Sequence, residues 1–140
     1  MKTCIIVRGL PGAGKSEFAE YIRSLYGIEK SPPDLYGNVF TTDAYFQYSD
    51  EYVFDASKLG AAHKWNYDRF RIAVSHDTPL VIVPNTSTKH KEFKKYKDYA
   101  EENGYIVFVV TMENYHGGKS VHGVPEKTLK KMKEQYQIKL

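Results

Sequence analysis

The chain alternates short apolar runs with longer segments in which apolar residues recur every three or four positions. The apolar runs, typical of buried strands, cover 2–8, 38–42, 80–83 and 105–111. The segments with helical spacing cover 15–26, 56–76, 89–103 and 126–137. Because strands and helices alternate, we predict one α/β domain over residues 1–140: a three-layer sandwich whose mostly parallel sheet of four to five strands carries helices on both faces.

Local signals place the ends of the helices and the loops between them. Asp55 or Ser57 is predicted to cap the second helix, and Gly104 is predicted to end the third. The apolar positions of the second helix predict a buried face formed by Leu59, Ala62, Phe70 and Ala73. A glycine-rich stretch at 114–124 predicts a loop before the last helix.

Residues 9–16 read GLPGAGKS and match the phosphate-binding loop pattern G-x-x-x-x-G-K-[ST]. The motif lies between a predicted strand and a predicted helix, where backbone amides and the helix N-terminus can hold one anion together. Lys15 is predicted to reach the outer phosphates, and Ser16 is predicted to bind the metal. The residues predicted to hold ATP and Mg2+ are Gly9, Pro11, Gly12, Ala13, Gly14, Lys15, Ser16 and Glu17.

Asp43 is the candidate general base. It follows the second predicted strand, and the carboxyl ends of parallel strands share the ligand-binding edge of such a sheet. A carboxylate at this edge can take the proton of an attacking hydroxyl, whereas the alternative role is a cap of the following turn. Asn85 and Thr86 end the third strand at the same edge, where they either contact substrate or the magnesium shell or form a simple turn.

Further candidates lie in the glycine-rich loop and on the second helix. Lys119 is the second candidate catalytic cation, because a hinged loop can close a lysine over the γ-phosphate; an ordinary surface lysine is the alternative. His63 and Asn66 are three residues apart on one helix face, so they either contact an acceptor or pack against a neighbour. Tyr45 is a candidate for stacking on an acceptor base.

Composition narrows the classes of function. The formal charge of +3 and the pI of about 8.8 are compatible with a phosphate-rich partner such as nucleic acid. The single cysteine, Cys4, is predicted to be a buried thiol, and no ligand spacing indicates a transition metal. No apolar run has the length of a membrane span or a signal peptide, so we expect a cytoplasmic protein without membrane contact. Nothing in the sequence indicates an obligate protein partner.

Five segments resemble, in order, those of the P-loop polynucleotide 5′-hydroxyl kinases and the related kinase-like modules of ubiquitin-ligase-binding proteins. The segments are RGLPGAGKS at 8–16, TDAYF at 42–46, AHKWN at 62–66, NTST at 85–88 and HGVP at 122–125. The resemblance implies transfer of the γ-phosphoryl group of ATP to the 5′-hydroxyl of a DNA or RNA end. It implies that Lys15 and Ser16 bind ATP and magnesium, that Asp43 is the general base, and that a lid carries a cation to the phosphates.

The chain departs from that family at several positions. Ala44 stands where the family has a second acidic residue, and Phe46 stands where it has an acceptor-binding arginine. Pro84 replaces a carboxylate near the metal, and Lys119 replaces an arginine of the lid. Two alternative hypotheses are therefore a small-molecule P-loop kinase and a nucleotide- or nucleic-acid-binding module with little catalysis.

Overall fold

A parallel sheet of three strands organises the chain in a computed structural model, which describes residues 1–28, 37–46, 54–87, 89–113 and 126–137. The strands are β1 (Thr3–Gly9), β2 (Leu80–Pro84) and β3 (Ile106–Met112). β1 lies in the centre, and β2 and β3 pair with it in parallel on either side. The predicted α/β class and parallel sheet are therefore confirmed.

In place of the second predicted strand the structure has a single β-bridge, in which Val39 pairs in parallel with Ile82. Phe40 N donates to Ile82 O, and Ile82 N donates to Asn38 O, both at 2.8 Å. The chain then enters a 3-10 helix, Thr42–Phe46, so the extended stretch is too short to form a full strand. Within the described residues the sheet thus has three strands, and the predicted four to five is corrected.

Four α-helices accompany the sheet in the described part of the chain. They are α1 (Lys15–Leu25), α2 (Leu59–Ser75), α3 (His90–Glu102) and α4 (Glu126–Gln135), and their ends differ from the predicted ones by at most three residues. A 3-10 turn precedes α2, and the Asp55 carboxylate caps it by accepting a hydrogen bond from Ser57 N at 3.0 Å. No helix in these ranges is long and apolar enough to cross a lipid bilayer.

Alternate residues of β1 face two separate cores, because successive side chains of a strand point to opposite sides of the sheet. The core under α2 and α3 is built around Cys4, Ile6, Phe70 and Tyr96. The core under α1 is built around Ile5, Val7 and Ala19. Cys4 is buried, which confirms the predicted core thiol, and this burial raises its pKa to about 12.

The buried face of α2 is largely the predicted one. Ala62, Phe70 and Ala73 are buried, whereas Leu59 is 38% exposed. Leu59 is the first residue of α2, and the first turn of the helix lies at the margin of the core. The prediction that Leu59 points inward is therefore wrong.

Candidate functional site

The phosphate-binding loop leaves β1 at its carboxyl end and leads directly into α1. Gly12 and Gly14 have φ values of 86° and 92°, and Gly14 is the N-cap of α1. Ala13 N donates to Leu10 O at 3.1 Å, which closes the turn, and Lys15 Nζ donates to the same oxygen at 3.1 Å. The predicted loop thus curls as an anion cradle requires, with the lysine folded over it.

Gly9 is a glycine because the end of β3 and the phosphate loop itself approach its backbone closely. A Cβ at this position would lie 2.9 Å from Met112 O and 3.2 Å from the Ala13 Cβ. Gly9 N also donates to Thr86 O at 3.3 Å, which ties the loop to the segment after β2. The loop is therefore fixed against the ends of both β2 and β3.

Lys15 and Asp43 both lie at the carboxyl edge of the sheet, Lys15 at the start of α1 and Asp43 after the Val39 bridge. Burial lowers the pKa of Lys15 to about 8, and the Asp43 carboxylate opposes that shift. Asp43 lies in the first turn of the 3-10 helix that follows the Val39 bridge. The structure therefore brings together the phosphate-loop lysine and the candidate base, which are 28 positions apart in the sequence.

A polar network joins three elements beside Asp43. Thr42 N donates to Asn85 Oδ1 at 3.0 Å, and Thr42 Oγ1 lies 3.3 Å from His63 Nδ1. Burial lowers the pKa of His63, Lys95 adds to that shift, and Glu92 and Asp43 oppose it. The network holds Asn85 and His63 next to the candidate base, and the shared sheet edge predicts this position for Asn85.

An aromatic wall, formed by Tyr45, Phe46 and Trp65, borders the candidate base. Tyr45 meets the Trp65 ring edge-on at a centroid distance of 5.6 Å, and its ring lies 5.3 Å from Phe46. The buried guanidinium of Arg69 supports Trp65 from below, with Cζ 4.3 Å from the ring centroid. Tyr45 and Trp65 are only half-buried, so this wall can meet a flat apolar ligand.

The side chain of Asn66 packs in the core and is not placed to contact an acceptor. Its side chain is fully buried, and Nδ2 donates to Phe40 O and to the Tyr96 hydroxyl, each at 3.1 Å. Its Oδ1 lies 3.5 Å from Arg69 Nη1. Because no face of Asn66 is open to solvent, the prediction that it binds substrate is corrected.

Sequence reasoning missed Arg8 as a residue that shapes the site. Its guanidinium is fully buried at the end of β1 and donates to Ser87 O, while its Cζ lies 5.0 Å from the Phe93 ring centroid and 4.7 Å from that of Tyr136. The available signal was a charged residue inside an apolar strand, immediately before the phosphate loop. Such a residue must find polar partners within the core.

The described residues offer a donor set that suits a magnesium polyphosphate. The loop amides and Lys15 can hold phosphates, and the exposed hydroxyl of Ser16 is an oxygen donor that suits a hard cation. No cluster of three or more metal-binding side chains of the His, Cys, Asp or Glu type occurs in the described ranges. Lys119 and the predicted lid at 114–124 lie outside the described residues.

The fold and the candidate site together define the class of protein to which the structure corresponds. A glycine-rich loop joins the central strand of a parallel sheet to a helix, and an acidic residue follows the neighbouring β-bridge at the same edge of the sheet. This is the fold of P-loop kinases.

Solved structures of two such kinases share the architecture over nearly the whole chain. APS kinase CysC from Mycobacterium tuberculosis superposes with a TM-score of 0.54 at 15% identity, covering 96% of each chain. A gluconokinase from Sinorhizobium meliloti 1021 superposes with a TM-score of 0.51 at 14% identity, covering 96% of this chain and 75% of the other. At these identities the likeness establishes the fold.

In sequence, the chain is similar to part of a much larger protein. It is 31% identical over 140 residues to NEDD4-binding protein 2 of Homo sapiens, an alignment that covers 95% of this chain. The chain spans 8% of the length of that relative. No protein-family model matches the chain.

Proposed function

We propose that the chain is an ATP-dependent phosphotransferase that moves the γ-phosphoryl group to a hydroxyl, with the 5′-hydroxyl of a polynucleotide as the acceptor. The observation that carries the proposal is that the segment after β2 holds both Asp43 and the phosphate loop at one edge of the sheet: Thr42 N donates to Asn85 Oδ1, and Gly9 N donates to Thr86 O. A loop lysine alone binds phosphate, whereas a carboxylate facing it can also receive the proton of an attacking hydroxyl.

Each residue has a defined task in this proposal. The amides of the phosphate loop and Lys15 hold the polyphosphate, and Ser16 holds the metal. Asp43 accepts the proton of the acceptor hydroxyl, while Thr42 and Asn85 hold the backbone beside it. When bound, Mg·ATP supplies the phosphoryl group and a divalent charge that offsets the negative charge on it. Lys119 is proposed as a further cation for the transferred group.

Two features favour a nucleic-acid acceptor. The aromatic wall of Tyr45, Phe46 and Trp65 lies beside Asp43 and can stack on a base, which contributes about 1–3 kcal/mol in comparable sites. The ordered set of segments that resembles polynucleotide kinases includes Tyr45, Trp65 and the candidate base, whereas Phe46 departs from that family. The proposed partner is therefore a DNA or RNA 5′ end.

A second candidate acceptor is a small metabolite. The two solved structures described above are named APS kinase and gluconokinase, which are names of kinases that act on small molecules. Because phosphate loop and base are common to all these reactions, only the acceptor separates the two hypotheses.

The deciding experiment supplies γ-labelled ATP and Mg2+ to the full chain with a panel of acceptors. The panel contains 5′-hydroxyl DNA and RNA oligonucleotides, the same oligonucleotides already 5′-phosphorylated, nucleosides, adenylylsulfate and gluconate. We expect label on the 5′-hydroxyl oligonucleotides alone. Label on a metabolite alone would replace the proposed acceptor with the second candidate.

Two variants separate binding from chemistry. Lys15→Met should lose affinity for ATP, whereas Asp43→Asn should keep that affinity and lower kcat by about 10²–10⁴-fold. If the wild type binds ATP, labels no acceptor, and is unaffected by Asp43→Asn, the chain is a nucleotide-binding module with little catalysis.

A further inference from the structure

We propose that His63 and Lys95 form a subsite for the phosphodiester group that follows the 5′-terminal nucleotide of a polynucleotide acceptor. This inference rests on the proposed function, because it assigns the path that such an acceptor takes away from Asp43. The subsite, called the α2–α3 subsite below, lies where these two helices pack side by side.

His63 provides the end of the subsite next to the candidate base. Its Nδ1 lies 3.3 Å from Thr42 Oγ1, and Thr42 directly precedes Asp43 in the chain. This contact orients the imidazole ring and leaves Nε2 as the nitrogen available to a ligand; no described residue forms a hydrogen bond with Nε2. A phosphate group bound at Nε2 would therefore lie next to an acceptor hydroxyl bound at Asp43.

Lys95 provides the cation at the other end. It is exposed on α3, and its Nζ lies 4.8 Å from the ring centroid of Tyr67, which belongs to α2, and 5.6 Å from that of Tyr96. The two rings themselves meet edge-on at 5.1 Å. Lys95 thus lies over the junction of the two helices, where cation–π contacts hold it.

Lys95 differs from the other lysines of α3 in its charge partners. Lys94 is paired with Asp98, and Lys97 is paired with Glu101. Among the described residues no carboxylate lies within ion-pair distance of Lys95. Its positive charge is therefore available to an anion from outside.

His63 and Lys95 lie close enough to act on the same ligand. His63 and Tyr67 are four residues apart on α2 and share a face of that helix, and Lys95 Nζ lies over the Tyr67 ring. Burial lowers the pKa of His63, and the positive charge of Lys95 accordingly adds to that shift, whereas the Glu92 and Asp43 carboxylates oppose it. Nε2 of the imidazole and the Lys95 ammonium group can each donate a hydrogen bond to one phosphate, and the ammonium group supplies a positive charge. This combination matches the single negative charge of a phosphodiester.

The test uses binding, so that it does not depend on turnover. The probe is a fluorescently labelled DNA trinucleotide with a 5′-hydroxyl, made either with ordinary phosphodiester links or with a neutral methylphosphonate at the first link. We expect the wild type to bind the charged probe about tenfold more tightly than the neutral one. Lys95→Met should remove most of that preference and lower the slope of log affinity against log salt by about 1.

The matched control is Lys94→Met, which removes a lysine of the same helix that already has a carboxylate partner. It should leave the preference for the charged probe unchanged, and His63→Ala should reduce it. Equal affinity of the wild type for both probes, or equal losses in Lys94→Met and Lys95→Met, would overturn the subsite.

The outcome is separable from that of the proposed function. If the wild type prefers the charged probe through Lys95 but phosphorylates no oligonucleotide, the subsite stands and the transfer reaction fails. If it phosphorylates oligonucleotides with equal KM for charged and neutral links, the reaction stands and the subsite fails.

Discussion

The guanidinium group of Arg8 donates two hydrogen bonds to the carbonyl oxygen of Ser87, from Nε at 3.1 Å and from Nη2 at 2.9 Å. Ser87 is buried with a φ of 48°, a left-handed conformation that costs energy in a residue with a side chain. Since Arg8 precedes the phosphate loop and Ser87 follows Asn85, this pair fixes the distance between the two halves of the candidate site.

Replacing Arg8 should therefore destabilise the fold. We expect Arg8→Met to lower the free energy of unfolding by about 2–3 kcal/mol, because Ser87 O loses both buried donors. Urea unfolding followed by tryptophan fluorescence measures the loss. The control is Arg71→Met, which breaks an exposed pair with Asp68 and should cost no more than about 1 kcal/mol. Similar losses in the two variants would contradict this role of Arg8.

Asn66 is expected to support the core without taking part in ligand binding. Asn66→Ala leaves Phe40 O and the Tyr96 hydroxyl without their buried donor, so the free energy of unfolding should fall by about 2–3 kcal/mol. The affinity of the folded protein for ATP and for oligonucleotides should stay unchanged. Ser75→Ala, which removes an exposed helical hydroxyl, is the control and should have little effect on stability. An increase in acceptor KM without a loss of stability would instead support the hypothesis that Asn66 contacts the acceptor.

Much of the fold could be predicted because the local patterns are strong. The apolar run at the start of the chain, the loop motif after it and the helical spacing from Lys15 onward all indicate the same unit. The stretch at 38–42 was predicted less well, because its apolar residues also fit a single bridge followed by a turn. Whether such a stretch extends along its neighbour depends on tertiary contacts that periodicity does not report.

The candidate site was predictable where residues follow a strand and unpredictable where they lie on a helix. Asp43 and Asn85 were placed at one edge by sheet topology alone. His63 and Asn66 share a helix face in the sequence, yet one reaches Thr42 and the other is buried against Tyr96. A rotation of a few tens of degrees around the helix axis separates these two environments, and spacing alone does not resolve it.

Replacing Gly9 and replacing Gly60 by alanine should have opposite effects on the stability of the protein. Gly9→Ala places a Cβ 2.9 Å from the backbone oxygen of Met112, so a strand end must move, and we expect a loss of about 1–3 kcal/mol. Gly60→Ala, in the first turn of α2, meets no atom within 4 Å and should stabilise the protein by up to about 1 kcal/mol. Thermal unfolding compares the two, and a neutral Gly9→Ala variant would show that β3 does not constrain the loop.

The buried ammonium group of Lys15 should destabilise the folded protein, although the same group is expected to bind ATP. Its pKa falls from an ordinary 10.5 to about 8 because burial disfavours the ammonium form. At neutral pH the charged lysine is therefore a cost, and Lys15→Met should raise the free energy of unfolding by an amount on the order of 2 kcal/mol. The same variant should lose its affinity for ATP, which calorimetry measures.

The pH dependence of this effect has a definite sign. Between about pH 8 and pH 10.5 the unfolded chain keeps the Lys15 proton, whereas the folded chain releases it. Unfolding then takes up a proton, so the stability of the wild type should rise with pH relative to that of Lys15→Met. Urea unfolding measures the free energy of unfolding of both proteins at neutral pH and at about pH 10. The difference between the two values should be smaller at the higher pH. A constant difference across this range would mean that the Lys15 ammonium carries no burial cost and that the loop holds it in a well-solvated position.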